Sequence, residues 1–231
     1  MARSFKAKAA LLTGVAFFFV LFAGLGVWQL ERRAWKHALI ERVDARIHAA
    51  PTASFAPDAE YTHVRLEGSF LPSPVLVQAS TVLGVGNWML QPLRLTDGRE
   101  VIVNRGFIAQ GAAGAPAPEG PQVVTGLLRL SEPKGRLLRD NEPAANRWFS
   151  RDVAAIAARL QLTHAEPYFV DQDEHGPRSV WPQGGLTVVQ FPDNHMQYAL
   201  TWFGLCVLCL VAGRFVWRSD PAGDNRGHAA D

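Results

Sequence analysis

The chain has 231 residues, a formal net charge of +2 and 48% hydrophobic residues. That length holds one medium-sized domain plus membrane segments. No basic stripe with interleaved aromatics occurs, which excludes a nucleic-acid-binding reading.

The first element is apolar. From Ala9 to Leu30, "AALLTGVAFFFVLFAGLGVWQL" carries no charge. At about 1.5 Å rise per residue, roughly 20 such residues cross the hydrocarbon core of a bilayer. A cleaved signal peptide is the alternative, since the flank "ARSFKAK" is basic. The apolar core is longer than the usual run of about 7–15 residues, however, and no Ala-x-Ala site closes it. We therefore expect an uncleaved anchor, and the lack of a long presequence favours a bacterial protein over an organellar precursor. The following "ERRAWKHALIERVDARIHAA" continues as an amphipathic helix, with Trp35, Leu39, Val43 and Ile47 near helical spacing. Pro51 ends it, and the amphipathic stretch suits a collar lying against a domain or against headgroups.

The chain then turns to β character. "YTHVRLEGSF" alternates Val64 and Leu66 with His63, Arg65 and Glu67. "PVLVQAS", "NWMLQPLRL" and "EVIVNRGFI" follow as strands, the last two joined at Asp97-Gly98, a hairpin signal whose turn positions favour positive φ. A Gly/Ala/Pro loop, "AQGAAGAPAPEGP", precedes the strand "QVVTGLLRL". A helix is expected over 151–161, with Ser150 as N-cap and Asp152 in its first turn. "PYFVD" and "LTVVQ" read as short terminal strands. The sum is a mainly antiparallel β domain of six or seven strands with one or two short helices. Barrel and sandwich both satisfy the pattern. A second uncharged run, Met196 to Gly213, supplies a second membrane helix. Lys and Arg residues flanking the two spans number six on each side, so charge alone leaves the orientation open.

Chemistry-bearing motifs are few. There is no Gly-x-Ser-x-Gly, no His-Glu-x-x-His and no phosphate-binding glycine loop. Cys206 and Cys209 share a helical face, but two sulfurs make only half of a tetrahedral metal site, so they read as small packing residues. "VDQDEHG", with Asp171, Asp173, Glu174 and His175, offers carboxylates beside a histidine; a solvated loop is the favoured reading, and a metal-binding or acid–base (hydrolytic) site the other. Asn141 and Asn146 suit side-chain-held turns, whereas Trp148 and nearby arginines suit a docking surface. His195 opens the second span in "PDNHMQYALTW". With Tyr198 and Trp202 it forms a polar-to-aromatic ladder fit either for an interface belt or for binding an amphiphilic planar cofactor through the imidazole.

Six strings in order resemble one family. They are "LGVWQLERRAWK", "PLRLTDGREVIVNRGFI", "GLLRLSEP", "DNEPAANRWFSRD", "PQGG" and "HMQYALTWFGL". Together they resemble the Surfeit-locus (Shy-type) assembly factors of cytochrome c oxidase. The resemblance implies a non-enzymatic chaperone with two transmembrane α-helices flanking a barrel- or sandwich-like extracytoplasmic β domain in the bacterial inner membrane. Residues 1–8 would be cytoplasmic, 9–30 and 195–213 would span, 31–194 would be periplasmic and 214–231 would return to the cytoplasm. It implies haem a as cargo, with subunit I and haem a synthase as partners and lipid around the spans. His195 falls on the family's candidate haem-ligating histidine and Tyr198 on its aromatic neighbour. Gly26, Trp28 and Gln29 fall in the family's other membrane signature, which would bring them close to His195. Tyr198, Trp202 and Trp28 would wall the site. A haem-independent scaffold for subunit I, working through "NEPAANRWF", is the competing reading.

Overall fold

A computed structural model describes residues 2–133, 139–187 and 191–219. The chain divides into two compact units, Arg42–Val189 on one hand and Met1–Glu41 with Gln190–Asp231 on the other.

The first unit is a β-barrel. Its strands are β1 (His63–Phe70), β2 (Val75–Thr81), β3 (Gly84–Leu95), β4 (Glu100–Ala109), β5 (Pro121–Leu130) and β6 (Ala165–Gln172). Five pairings are antiparallel: β1 with β3, β1 with β5, β2 with β3, β3 with β4, and β5 with β6. The remaining one, β4 with β6, is parallel. Closure comes from β3, whose 12 residues serve different neighbours along their length. Its first half pairs with β2, while Leu93–Leu95 pair with Phe70–Gly68 of β1. The ring β1-β5-β6-β4-β3 returns to β1, and β2 lies outside it. This decides for the barrel.

Strand alternation explains where the core sits, because successive side chains point to opposite faces. Val101 and Val103 of β4 join Val64, Leu93, Leu128, Tyr168 and Val170 in one cluster. Ile102, between those two valines, faces the other way and packs with Val77, Leu90, Trp148, Ile156 and Phe169. Both faces of β4 are therefore covered, and all but its last residue are buried. The outer cluster is capped by α2 (Val153–Leu160), which presents Val153, Ile156 and Ala157 at helical spacing.

Three expectations need correction. The N-cap of α2 is Asp152, whose carboxylate accepts from the Ala155 amide at 3.1 Å. Ser150 is instead engaged by Asn141, which donates to its hydroxyl at 2.9 Å and accepts from the Phe149 and Ser150 amides. The Asp97-Gly98 hairpin carries positive φ only at Gly98. Leu95 donates to the Arg99 carbonyl and Gly98 to that of Leu95, so Thr96 joins the loop as a third residue and the two-residue turn is not formed. The strand expected over "LTVVQ" is absent at Leu186 and Thr187, and residues 188–190 lie outside the described residues.

The second unit holds the helices. α1 (Ala2–Ile47) is continuous from the apolar run through the charged extension. α3 (His195–Arg218) is 24 residues long. Both are long and apolar enough to cross a membrane. Within this unit they run antiparallel. Lys8 donates to the carbonyls of Trp217 and Ser219, Cys206 lies 3.6 Å from the Phe19 carbonyl, and Gln29 meets His195. Lys8 thereby satisfies backbone acceptors at the negative end of α3.

Candidate functional site

The site is built where α3 begins. Asp193 accepts the backbone amide of His195 at 3.1 Å, satisfying one of the orphan donors at the helix start. The same carboxylate meets His37 of α1 at 2.6 Å and the Arg33 guanidinium at 3.5 Å. Lys36 donates to the Pro192 carbonyl. The hydrogen bond from His37, then that from the His195 amide, hold the Asp193 carboxyl below its ordinary range; slight burial opposes them, and the charges of His37 and Arg33 add to them. Arg33, Lys36 and His37 of α1 thus grip Pro192 and Asp193, just ahead of His195.

His195 itself is half-buried, and its Nδ1 lies 2.8 Å from Oε1 of Gln29. Gln29 is buried. An amide oxygen can only accept, so Nδ1 carries the proton and donates. In the neutral ring Nε2 is then the nitrogen that carries the lone pair, directed away from Gln29.

Close approach of the helices depends on Gly26. A Cβ at that position would fall 2.6 Å from Cε1 of Phe203, so any larger residue forces the ring or the helix aside. Gly26 and Gln29 are the buried positions of this stretch of α1, and Ala199 and Cys206 are those of α3. One turn deeper, Trp202 stacks on Phe22 with ring centroids 5.7 Å apart and 24° between planes. Below that, Leu205, Leu208, Cys209 and Ala212 face Gly14, Val15 and Phe18 across an open apolar cleft of about 560 Å³.

His195, Gln29 and Gly26 are therefore together, with Trp202 about two turns along α3 against Phe22. Trp28 and Tyr198 are not part of that packing, and each exposes more than half its surface. Helical geometry accounts for this. Trp28 is two residues from Gly26, about 200° around the helix, and Tyr198 is three from His195 on the outer flank of the contact face. Arg33, His37 and Asp193 were not singled out from the sequence. The available signal was an Asp just ahead of an apolar run, with Arg33 and His37 at i, i+4 on one helical face.

The other motifs resolve into structure. Asp171 is buried and is no solvated loop residue. It accepts from Asn104 at 2.7 Å, Arg129 at 3.1 Å, Arg151 at 3.1 Å and Thr187 at 2.9 Å. Asp173 pairs with His63, and Glu174 with Arg178, so these carboxylates do not converge on a common point. Among the described residues, no group of three His, Cys, Asp or Glu side chains is arranged to hold a metal ion. Trp148 is 2% exposed in the outer core cluster and is not available as a surface anchor.

Comparison with known proteins completes the description. The profile of the SURF1 family matches residues 16–207. Surfeit locus protein 1 of Mus musculus is 32% identical over 221 residues, covering 84% of this chain and 70% of its own length. The Homo sapiens protein of the same name is 31% identical, covering 84% and 72%. A SURF1-like protein of Monosiga brevicollis is 30% identical, covering 98% and 96%.

Proposed function

The chain belongs to the SURF1 family, and from that premise we propose that it is an assembly factor for haem–copper cytochrome c oxidase, holding haem a at His195 and assisting its insertion into subunit I. In this reading the two helices span the bacterial inner membrane, the barrel lies on the periplasmic side and both termini are cytoplasmic. Haem a synthase on the supply side and subunit I on the receiving side are the partners. No bond is made or broken; the protein binds and presents a cargo.

The observation that carries the reading is the Nδ1···Oε1 contact of 2.8 Å between His195 and Gln29. A metal-binding imidazole needs one nitrogen stripped of its proton and the other held by an acceptor, which fixes the tautomer and the ring's direction. Gln29 supplies that acceptor. Asp193, braced by Arg33 and His37, fixes the helix end from which the ring projects. Trp202, and Trp28 and Tyr198 from their exposed faces, supply aromatic surface for a macrocycle.

The test is co-expression with the haem a biosynthetic enzymes, purification, and optical spectroscopy. The wild-type chain is expected to carry haem a and His195→Ala to lose it. Gln29→Leu keeps the volume but removes the acceptor, and should weaken binding by about 10–100-fold. Unchanged haem content and spectrum in His195→Ala would overturn the ligand assignment. Colourless wild-type protein that still co-isolates with subunit I would favour a haem-independent scaffold.

A further inference from the structure

The helix pair carries a groove that the His195–Gln29 contact does not explain. Val15, Phe22 and Gln29 follow one another at intervals of seven along α1, and His195, Trp202 and Cys209 do the same along α3. Seven residues are close to two full turns, so each row stays on one face and drifts by only about 20° per interval. Both rows border the same open space. Val15 and Phe22 line it from α1 and Cys209 from α3, while Trp202 stacks on Phe22 at its upper rim. The two walls of this cleft of about 560 Å³ therefore lead up to Gln29 and His195. A second row on α3, Tyr198–Leu205–Ala212, runs along the outer flank and also ends in the cleft.

Small residues keep the groove open. A Cβ at Gly14 meets nothing within 4 Å, although Gly14 lies in the lining with Ala10 and Ala212. Small residues between membrane helices ordinarily let the backbones close together. Here other contacts set the spacing: Gly26 against Phe203, Cys206 against the Phe19 carbonyl, and Val15 beside Gly213. No lining residue is charged. At about 1.5 Å rise per residue the groove begins about 10 Å from Gln29, at Phe22, and passes Gly14 about 22 Å away. In the other direction from Gln29, Arg32, Arg33 and Lys36 follow within two turns. The surroundings of His195 are thus cationic on one side and apolar on the other.

We propose that this groove is the subsite for the isoprenoid chain of the haem a that His195 holds. Haem a carries two carboxylates on one side of its macrocycle and a farnesyl-type chain on the opposite side. With the iron at His195, Arg33 and Lys36 attract the carboxylates, and the chain points down the groove. Lipid tails are as apolar as the groove, so burial alone selects no occupant. A chain delivered by a macrocycle already bound at the head of the groove has the advantage of its tether. A haem without the chain leaves the groove unused, which makes the groove a device for preferring haem a. The proposal rests on the reading of His195 as the haem ligand.

The test uses the full chain in phospholipid nanodiscs, titrated with haem a and separately with haem b, which lacks the chain, and followed by the Soret band. The wild-type chain should bind haem a more tightly than haem b. Gly14→Phe and Ala212→Phe fill the groove from opposite walls. Each should lower the haem a to haem b affinity ratio by about tenfold while leaving haem b affinity within about twofold. Retained haem b binding also shows that the variants fold. The formyl group, the other difference between the two haems, is untouched by these substitutions. A wild-type ratio in both variants would overturn the proposal and leave the groove to bilayer lipid. Equal losses for both haems would overturn it too, since the substitutions would then act through helix packing. His195→Ala should lose both haems; a wild-type chain that binds neither would instead remove the ligand reading on which the proposal rests.

Discussion

His63 stands between two acceptors, the Ala49 carbonyl on Nδ1 and the Asp173 carboxylate on Nε2, each at 2.8 Å. A neutral imidazole can donate to only one of them, so both contacts are hydrogen bonds only in the cation. Burial works against the charge. The Asp173 hydrogen bond, the Ala49 carbonyl and the charge of Asp173 outweigh it, and the pKa is raised above its ordinary 6.5. A folded-state pKa above the unfolded value gives stability that is full below about pH 6.5 and is lost as pH rises through the raised value. Urea unfolding at mildly acidic and mildly alkaline pH should show this. The stability difference between wild type and His63→Gln should shrink on going alkaline, and a difference independent of pH would contradict the assignment. Neither partner of His63 could be read from the sequence, because Asp173 is 110 residues away. The burial of Asp171 was equally hidden. An Asp in "VDQDEHG" looks solvated until the fold brings Arg129 and Arg151 to it.

At the scale of elements, local signals carried further. The alternation of "HVRLEGSF" and the 3.6-residue spacing of "VAAIAARL" correspond to β1 and α2 within a residue or two. Where two local signals competed, spacing alone could not arbitrate. Ser150 and Asp152 are both good capping residues, and Asn141 takes Ser150 for its own loop. Asp152→Ala should therefore destabilise the barrel unit by about 1 kcal/mol, equivalent to roughly 2–4 °C in Tm for a unit of this size. Thermal unfolding followed by circular dichroism checks this. Ser150→Ala acts through the Asn141 loop and should leave the helix N-terminus intact. The Asp97-Gly98 turn shows the same limit. A D-G pair marks a hairpin, but the number of loop residues depends on which residues of the two strands pair, here Leu95 with Arg99.

For the whole molecule, the decisive contact is the closure between β1 and β3. A Cβ at Gly68 would lie 2.2 Å from the Arg94 carbonyl oxygen, so the closing strands approach as nearly as they do because no side chain stands there. Gly68→Ala must push one strand back, and should cost at least about 2 kcal/mol. Chemical denaturation should show the loss, and an unchanged midpoint would mean that the seam yields freely. Composition and periodicity by themselves determined two apolar helices, a strand-rich middle and the order of its elements, because each of these is set by residues within a few positions of one another. They also marked His195, through its position at the edge of an apolar run. Only the tertiary structure decided that the strands close into a barrel, that Asp193 is gripped by Arg33 and His37, and that His195 turns Nδ1 toward Gln29. These depend on pairs separated by 23 to 166 residues, such as Phe70–Leu93 and Gln29–His195. Periodicity carries no information over such distances; packing does.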